Sequence, residues 1–355
     1  MDVEQILEAI PELSDLELAV LLGLVAKHPC LVYGDRNIMG ALASELALIV
    51  SDIFKLTYVV LEEADYVSVD TFTDAILDDQ SANLNESDLD SDSDAVGALR
   101  SRIQNVSFRG SRGHIEQTLD TRMVVNVIIA KDFNQACHDV QIQMMELIRR
   151  RRIFSKTTVH PAPKTFLFLP IISTDQKHIR LNHHLTDRLF LSHSHTLDDG
   201  FPNVEELEND VAGHRSDLSK TSSDRLHISS EVLDDLRRLG QQTTITPEVR
   251  RHLQDLVVFL RLERGVDGGI TPYSNVCFVS LAKYLAPLHG IDFVTPSLIE
   301  LAAKKIFPHR LVIARPDRER STQFGSNGEA IKDYVNTLSP ERVIDMVIAK
   351  VPGPI

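Results

Sequence analysis

The 355-residue sequence contains no tryptophan and only three cysteines, Cys30, Cys137 and Cys277. They lie far apart and no CxxC pair occurs, which leaves no zinc knuckle or disulfide framework to build on. Free, mostly buried thiols are the expectation, as in a reducing compartment. Positive charge is also scarce: 37 Lys and Arg stand against 51 Asp and Glu, a formal net charge of -14. That balance argues against direct binding to nucleic acid or to an anionic membrane. No apolar run reaches the length of a membrane-spanning helix. The opening MDVEQILEAI lacks the basic flank and apolar core of a secretory signal. A cytoplasmic or nuclear protein that is not secreted is therefore expected. There is no G-x-S-x-G motif to support a Ser/His/Asp hydrolase, and the acids of 198–210 lack calcium-loop spacing.

What is present begins with His28–Leu48, HPCLVYGDRNIMGALASELAL. It reads as a short strand (Leu31–Tyr33), a turn opened by Gly34, and a helix rich in Ala and Leu. That is the layout of a phosphate-binding loop, G-x-x-x-x-G-K-[ST], whose glycines turn backbone N–H groups toward phosphate. The chemistry does not follow the layout. Asn37 and Met39 fill the later glycine positions, Gly40 stands where Lys is needed, and Ala41 where Ser or Thr is needed.

Around this stretch, 43% hydrophobic content and the chain length suit a good core and two domains. Residues 3–27 read as two amphipathic helices split by Pro11, the second capped by Ser14. Leu56–Leu61, Met123–Ala130 and Thr165–Leu169 read as buried strands of a parallel sheet, with Arg188–Ser192 as a short further one. Residues 77–94 hold seven acids, four serines and no base, and read as a disordered acidic insertion. A helix is predicted over Asn134–Arg152, closed by the basic run Arg149–Arg152. That run, with Lys156, reads either as cations favoured at a helix C-terminus or as a nuclear-localisation, nucleic-acid or partner patch. His183, His184, His193 and His195 read as a solvated edge or loop rather than a metal site.

The pattern then changes. Residues 198–226 read as a linker, and 227–313 as a helical domain. Thr246-Pro247, Thr271-Pro272 and Thr295-Pro296 each mark a helix start, with Thr as cap and Pro at the first helical position. A tail of one or two helices, 314–355, completes the chain. Strands alternating with helices up to residue 197, then helices alone, predict an α/β core and a small bundle.

This order resembles an AAA+ ATPase, an α/β P-loop core with a parallel sheet followed by an α-helical lid, and most of all the branch of MoxR and the magnesium-chelatase I subunit. AKDFNQA (130–136) resembles that branch's Walker B segment, LNHHLTDRLF (181–190) its arginine-finger segment, and GITPYS (269–274) its sensor-2 segment. HGIDFVTPSLIELAAKKIFPHRL (289–311) resembles its lid. APKTFLFLP (162–170), VRRHLQDLVVFLRLERG (249–265) and the terminal VPGPI are also similar to the fungal family named maintenance of telomere capping protein 2.

The resemblance implies that Lys131 occupies the position of the metal-organising Asp, where its charge would repel Mg²⁺. Asp132 is a shortened version of the water-activating Glu. Tyr273 replaces the sensor-2 Arg, and only Arg188, at the finger position, matches. The sensor-1 position would fall after Leu169, on Pro170 and Ile171, with Ser173 or Thr174 as the polar alternatives. Two expectations follow. One is a non-catalytic AAA+-like scaffold or assembly subunit linked to telomere capping, with protein partners, no resident cofactor and no metal. The other is a nucleotide-binding or weakly active ATPase in a mixed ring, in which Lys131 replaces the missing Lys and Arg188 acts in trans. For Arg188 a structural alternative is a pair with Asp187.

Overall fold

A computed structural model describes residues 13–78, 122–155, 158–174, 181–212, 227–325 and 327–354. The predicted first helix (within 3–10) and all but the start of the acidic stretch lie outside the described residues. In chain order, α1 (Asp15–Ala26), β1 (Cys30–Gly34), α2 (Met39–Leu48), β2 (Tyr58–Leu61), α3 (Val69–Ala75), β3 (Leu77–Asp78), β4 (Met123–Val124) and β5 (Val127–Lys131) come first. Then follow α4 (His138–Arg150), β6 (Arg152–Phe154), β7 (Val159–Pro161), β8 (Leu167–Ser173), α5 (His183–Arg188), β9 (Leu191–Ser194) and α6 (Pro202–Ala212). The remainder is α7 (Ser230–Gln242), α8 (Pro247–Leu262), β10 (Val266–Gly268), α9 (Pro272–Leu288), α10 (Pro296–Ile306), β11 (Val312–Ile313), α11 (Gly328–Asn336) and α12 (Pro340–Lys350).

Contacts divide the chain into two units. The first holds Lys27–Leu185 and Ser194–Ser230; the second holds α1, Thr186–His193 and everything from Glu231 onward. This division differs from boundaries drawn at 197, 227 and 314. It places α1 and the tail with the lid helices.

The first unit is built on the sheet strands β2-β5-β8-β1, in that order. The β2/β5, β5/β8 and β8/β1 pairs are all parallel, with Gly34 opposite Ser173 and Leu61 opposite Ala130. Every residue of β8 is buried, as expected where both faces of a parallel sheet are covered.

Four readings need correction here. The run Met123–Ala130 is not one strand. Asn126 interrupts it: its N–H bonds to the Thr57 hydroxyl, and its amide to the Thr165 carbonyl (2.8 Å). The part before it pairs antiparallel with Leu77–Asp78, so the acidic stretch starts as a strand. Next, β8 runs four residues past Leu169, through Pro170 to Ser173. Pro170 withholds one N–H, but it sits between the buried Leu167–Leu169 and Ile171–Ile172. Third, the linker contains helix α6, whose first turn is held by the buried Glu45. Its Oε1 accepts from the N–H (3.1 Å) and amide (2.7 Å) of Asn203, and its Oε2 from the N–H of Val204. Finally, α4 starts at His138, because Asn134 lies in a 3₁₀ turn, and Arg152 begins a strand.

In the second unit the local signals at the helix starts hold without change. Thr246, Thr271 and Thr295 each accept the N–H of the residue three positions on, with Pro at the first helical position. Ser339 does the same for α12. Ser14 and Glu17 form a reciprocal cap on α1. This helix is not amphipathic, since Leu16 and Ala19–Val25 are all buried. Its last carbonyls, on Leu24 and Val25, accept from the Arg237 guanidinium.

Candidate nucleotide site

The first unit's C-terminal sheet edge gathers the residues singled out at Gly34–Ala41 and Lys131–Asp132. Gly34 ends β1, and a Cβ there would lie 2.8 Å from the Leu42 side-chain methyl Cδ2. The chain then makes one 3₁₀ turn, Arg36–Ile38, and enters α2. None of residues 34–41 adopts a left-handed backbone. A phosphate-cradling nest needs alternation of right- and left-handed residues to aim successive N–H groups inward, and this turn does not supply it. Ile38 and Met39 are buried, while Asn37 and Gly40 are exposed. A Cβ at Gly40 would meet nothing within 4 Å. The Asp35 carboxylate accepts from the Thr174 hydroxyl at 2.7 Å, and the Thr174 N–H bonds to the Gly34 carbonyl at 3.0 Å. Thr174, one of the two polar alternatives to Pro170 and Ile171, thus stands at the end of the strand lying between β1 and β5, while Ser173 is buried within that strand.

At the end of β5, Lys131 forms an ion pair with Glu62, which follows β2. Because β2 flanks β5 on the side away from β1, Lys131 points away from the loop at Gly34. This is the opposite of the reading in which it replaces a missing phosphate-loop lysine. Asp132 has φ 49° and ψ 39°, a left-handed backbone unusual for a non-glycine residue. Burial pushes its carboxyl up from the ordinary value, and Glu63 adds to that; the charges of Arg36 and Lys131 pull the other way. Behind them Tyr66 donates to the carbonyls of Leu61 (3.1 Å) and Lys131 (2.9 Å), tying the ends of β2 and β5 together. Its ring packs edge-on to Phe133, and Phe133 to Phe168. Tyr66 was not singled out from the sequence.

Arg188 and Tyr273 belong to the second unit. The guanidinium of Arg188 lies over the Tyr273 ring, 4.6 Å from its centroid. Burial pushes the Tyr273 phenol up to about 12. Asp187 does not pair with Arg188. Its Oδ1 accepts from the Thr271 hydroxyl (2.7 Å) and from Arg310 (3.2 Å). The Arg310 side chain is 1% exposed and also donates to the Leu189 carbonyl at 2.6 Å. Arg310 thereby holds the turn after α5 and the start of α9 in one network. In the sequence Arg310 stands out only as part of the segment ending HRL.

His309 beside it is buried and hydrogen-bonds through Nε2 to the Leu189 carbonyl at 3.0 Å. Burial, reinforced by the Arg310 charge, pushes its imidazole down to about 3. The folded value lies below the unfolded value of about 6.5, so protonation favours the unfolded chain. The stability this site confers is complete above about pH 6.5 and declines toward pH 3, by about 1.4 kcal/mol per unit. His309→Gln keeps a donor for Leu189 and is expected to flatten that part of the pH–stability curve, measured by denaturant unfolding between pH 7 and 4.

Of the four histidines read as a solvated edge, His183 and His184 are exposed, and His193 and His195 are not. His193 and His195 are buried, and His195 Nε2 bonds to the Gly200 carbonyl. The exposed rings of His183 and His184 lie with centroids 4.0 Å apart, tilted by 40°. Among the described residues no three His, Cys, Asp or Glu side chains come together to hold a metal ion. Within the same residues, no helix is long and apolar enough to cross a membrane.

Residues 259–333 match the AAA lid domain family. A crystal structure of a proposed ATPase from Cytophaga hutchinsonii superposes with a TM-score of 0.62 at 14% identity, covering 99% of this chain and 95% of that one. The chain has an AAA+ fold with a helical lid. Two curated relatives carry the name maintenance of telomere capping protein 2. The one from Lachancea thermotolerans is 28% identical over 116 residues, 31% of this chain and 41% of its own length. The one from Kluyveromyces lactis is 30% identical over 93 residues, 25% of this chain and 34% of its own. The matched segments thus span less than half of either relative.

Within the AAA+ fold the candidate residues fall into two groups. Gly34, Asn37, Gly40, Ala41, Lys131 and Asp132 stand at the sheet edge of the core unit, and Arg188 and Tyr273 in the lid unit. In each group the charged side chains have protein partners: Lys131 has Glu62, Arg188 has Tyr273, and Arg36 lies in the field of Asp132.

Proposed function

We propose that this protein is a non-catalytic AAA+-like scaffold or assembly subunit that serves telomere capping from the nucleus. The observation that carries the proposal is the turn at Gly34–Ala41. It has neither the lysine nor the hydroxyl that phosphate and Mg²⁺ require, and its backbone forms a 3₁₀ turn rather than a nest. Phosphoryl transfer rests on positioning and charge stabilisation, and each hydrogen bond to a charged group contributes about 1.5–3 kcal/mol. Loss of several such groups together leaves ATP without an anchor. The link to telomere capping comes from the two fungal relatives and extends only to the process their names state.

A scaffold needs surfaces for protein partners. The lid offers one in Val258, Phe259 and Leu262 on α8 and Val276 on α9, which are 44–62% exposed. Gln254 of α8 bonds to Asn275 of α9, which sets the two helices side by side. Thermal unfolding with and without excess ATP·Mg²⁺ tests the proposal. A ligand at about 100 times its Kd would add about 2.7 kcal/mol of stability. No shift is expected at millimolar ATP, and a shift accompanied by turnover would favour the mixed-ring ATPase instead.

A further inference from the structure

The basic run at the end of α4 is not one patch. Arg151 adopts φ 54° and turns inward, donating to the carbonyls of Lys27 (2.6 Å) and Phe166 (3.3 Å). Arg149, Arg150 and Arg152 stay exposed, with Arg150 paired to Glu146 at 2.8 Å. Arg152 then opens a hairpin in which it faces Pro161 and Phe154 faces Val159. Alternation puts Ile153 and His160 inside, both 1% exposed. The His160 ring is held by Ser155, Thr158 and the Arg122 carbonyl at 2.8–3.0 Å, so the hairpin is braced from beneath. Its outer face shows Phe154 and Val159, 48% and 49% exposed, with the Arg152 guanidinium 5.5 Å from the Phe154 ring centroid. Exposed Lys164 follows the second strand.

We propose that this hairpin face binds single-stranded nucleic acid, with Arg149, Arg150, Arg152 and Lys164 against phosphates and Phe154 stacked on a base. Cations beside a rigid exposed aromatic are the elements of a single-strand platform, in which the ring gives affinity without sequence preference. The net charge of -14 does not forbid it. Exposed charges are screened beyond about 8 Å at physiological ionic strength, so the local cations dominate at the hairpin.

Fluorescence anisotropy of the full chain with a labelled oligothymidylate of about 15 nucleotides tests this. Affinity should fall between about 50 and 200 mM salt, with a log–log slope no steeper than about -3 for four cations. Arg152→Gln should flatten the slope by about 0.7. Phe154→Ala should weaken binding by roughly 5- to 150-fold at unchanged slope. Both residues are exposed, so unchanged melting temperatures will show that the variants fold. No binding at the lower salt, or Phe154→Ala binding as tightly as the unsubstituted chain, would overturn the proposal. A labelled polyglutamate peptide binding as tightly as the oligonucleotide would also overturn it, and would make the hairpin an acidic-peptide surface.

Discussion

Gly269→Ala should unfold the lid unit. Gly269 has φ +101°, where an L side chain is strained, and a Cβ there would lie 1.8 Å from the Arg310 carbonyl oxygen. The clash is with backbone, so no side-chain rotation relieves it. Either β10 and β11 separate or the turn into α9 is rebuilt. The expected loss exceeds about 4 kcal/mol, the range reserved for backbone strain and core disruption. In thermal unfolding this reads as a drop of about 10 °C or more, or as insoluble protein. Gly268→Ala is the control, because a Cβ at Gly268 meets nothing within 4 Å. It should change stability by less than about 1 kcal/mol. The glycine that opens the GITPYS segment is thus required by close approach to the chain at Arg310, whether or not a nucleotide ever binds.

Arg310→Ala is the second large effect. The buried guanidinium bonds Asp187 and Leu189, so truncation removes the charge partner of Asp187 and one of the two groups bonded to the Leu189 carbonyl, and leaves a cavity. Removing one partner of a buried ion pair destabilises by about 3–5 kcal/mol. Chemical denaturation of Arg310→Ala, Asp187→Asn and the double variant should give a coupling of about 0.5–3 kcal/mol. Additive losses would show that the two side chains act separately.

Much of the fold was legible because its determinants are local. The three Thr-Pro pairs cap three helices by bonds within four residues, and the apolar runs at 30–34, 58–61 and 127–131 form the parallel strands. The misreadings lie where partners come from far along the chain. Asn126 breaks its run because Thr57 and Thr165 claim it. Glu45 turns an apparent linker into helix α6 from 158 residues away. Pro170 looked like a strand end, and only burial on both sides of it shows otherwise.

The same distinction holds for the candidate site. The positions that the resemblance sets apart, Gly40, Ala41, Lys131 and Tyr273, could be picked out one by one. What their neighbours do instead could not. Glu62 takes Lys131, Tyr273 takes Arg188, and Thr174 closes on Asp35. Each of these pairings depends on which strands and turns lie side by side, which no spacing of residues encodes.

The central claim is that an AAA+ fold persists here without an ATP site. Isothermal titration of the full chain with ATP in the presence of Mg²⁺ tests it most directly. No saturable heat is expected up to about millimolar ATP, equivalent to binding weaker than about 4 kcal/mol. A saturable isotherm with a micromolar Kd, abolished when Mg²⁺ is withdrawn, would contradict it.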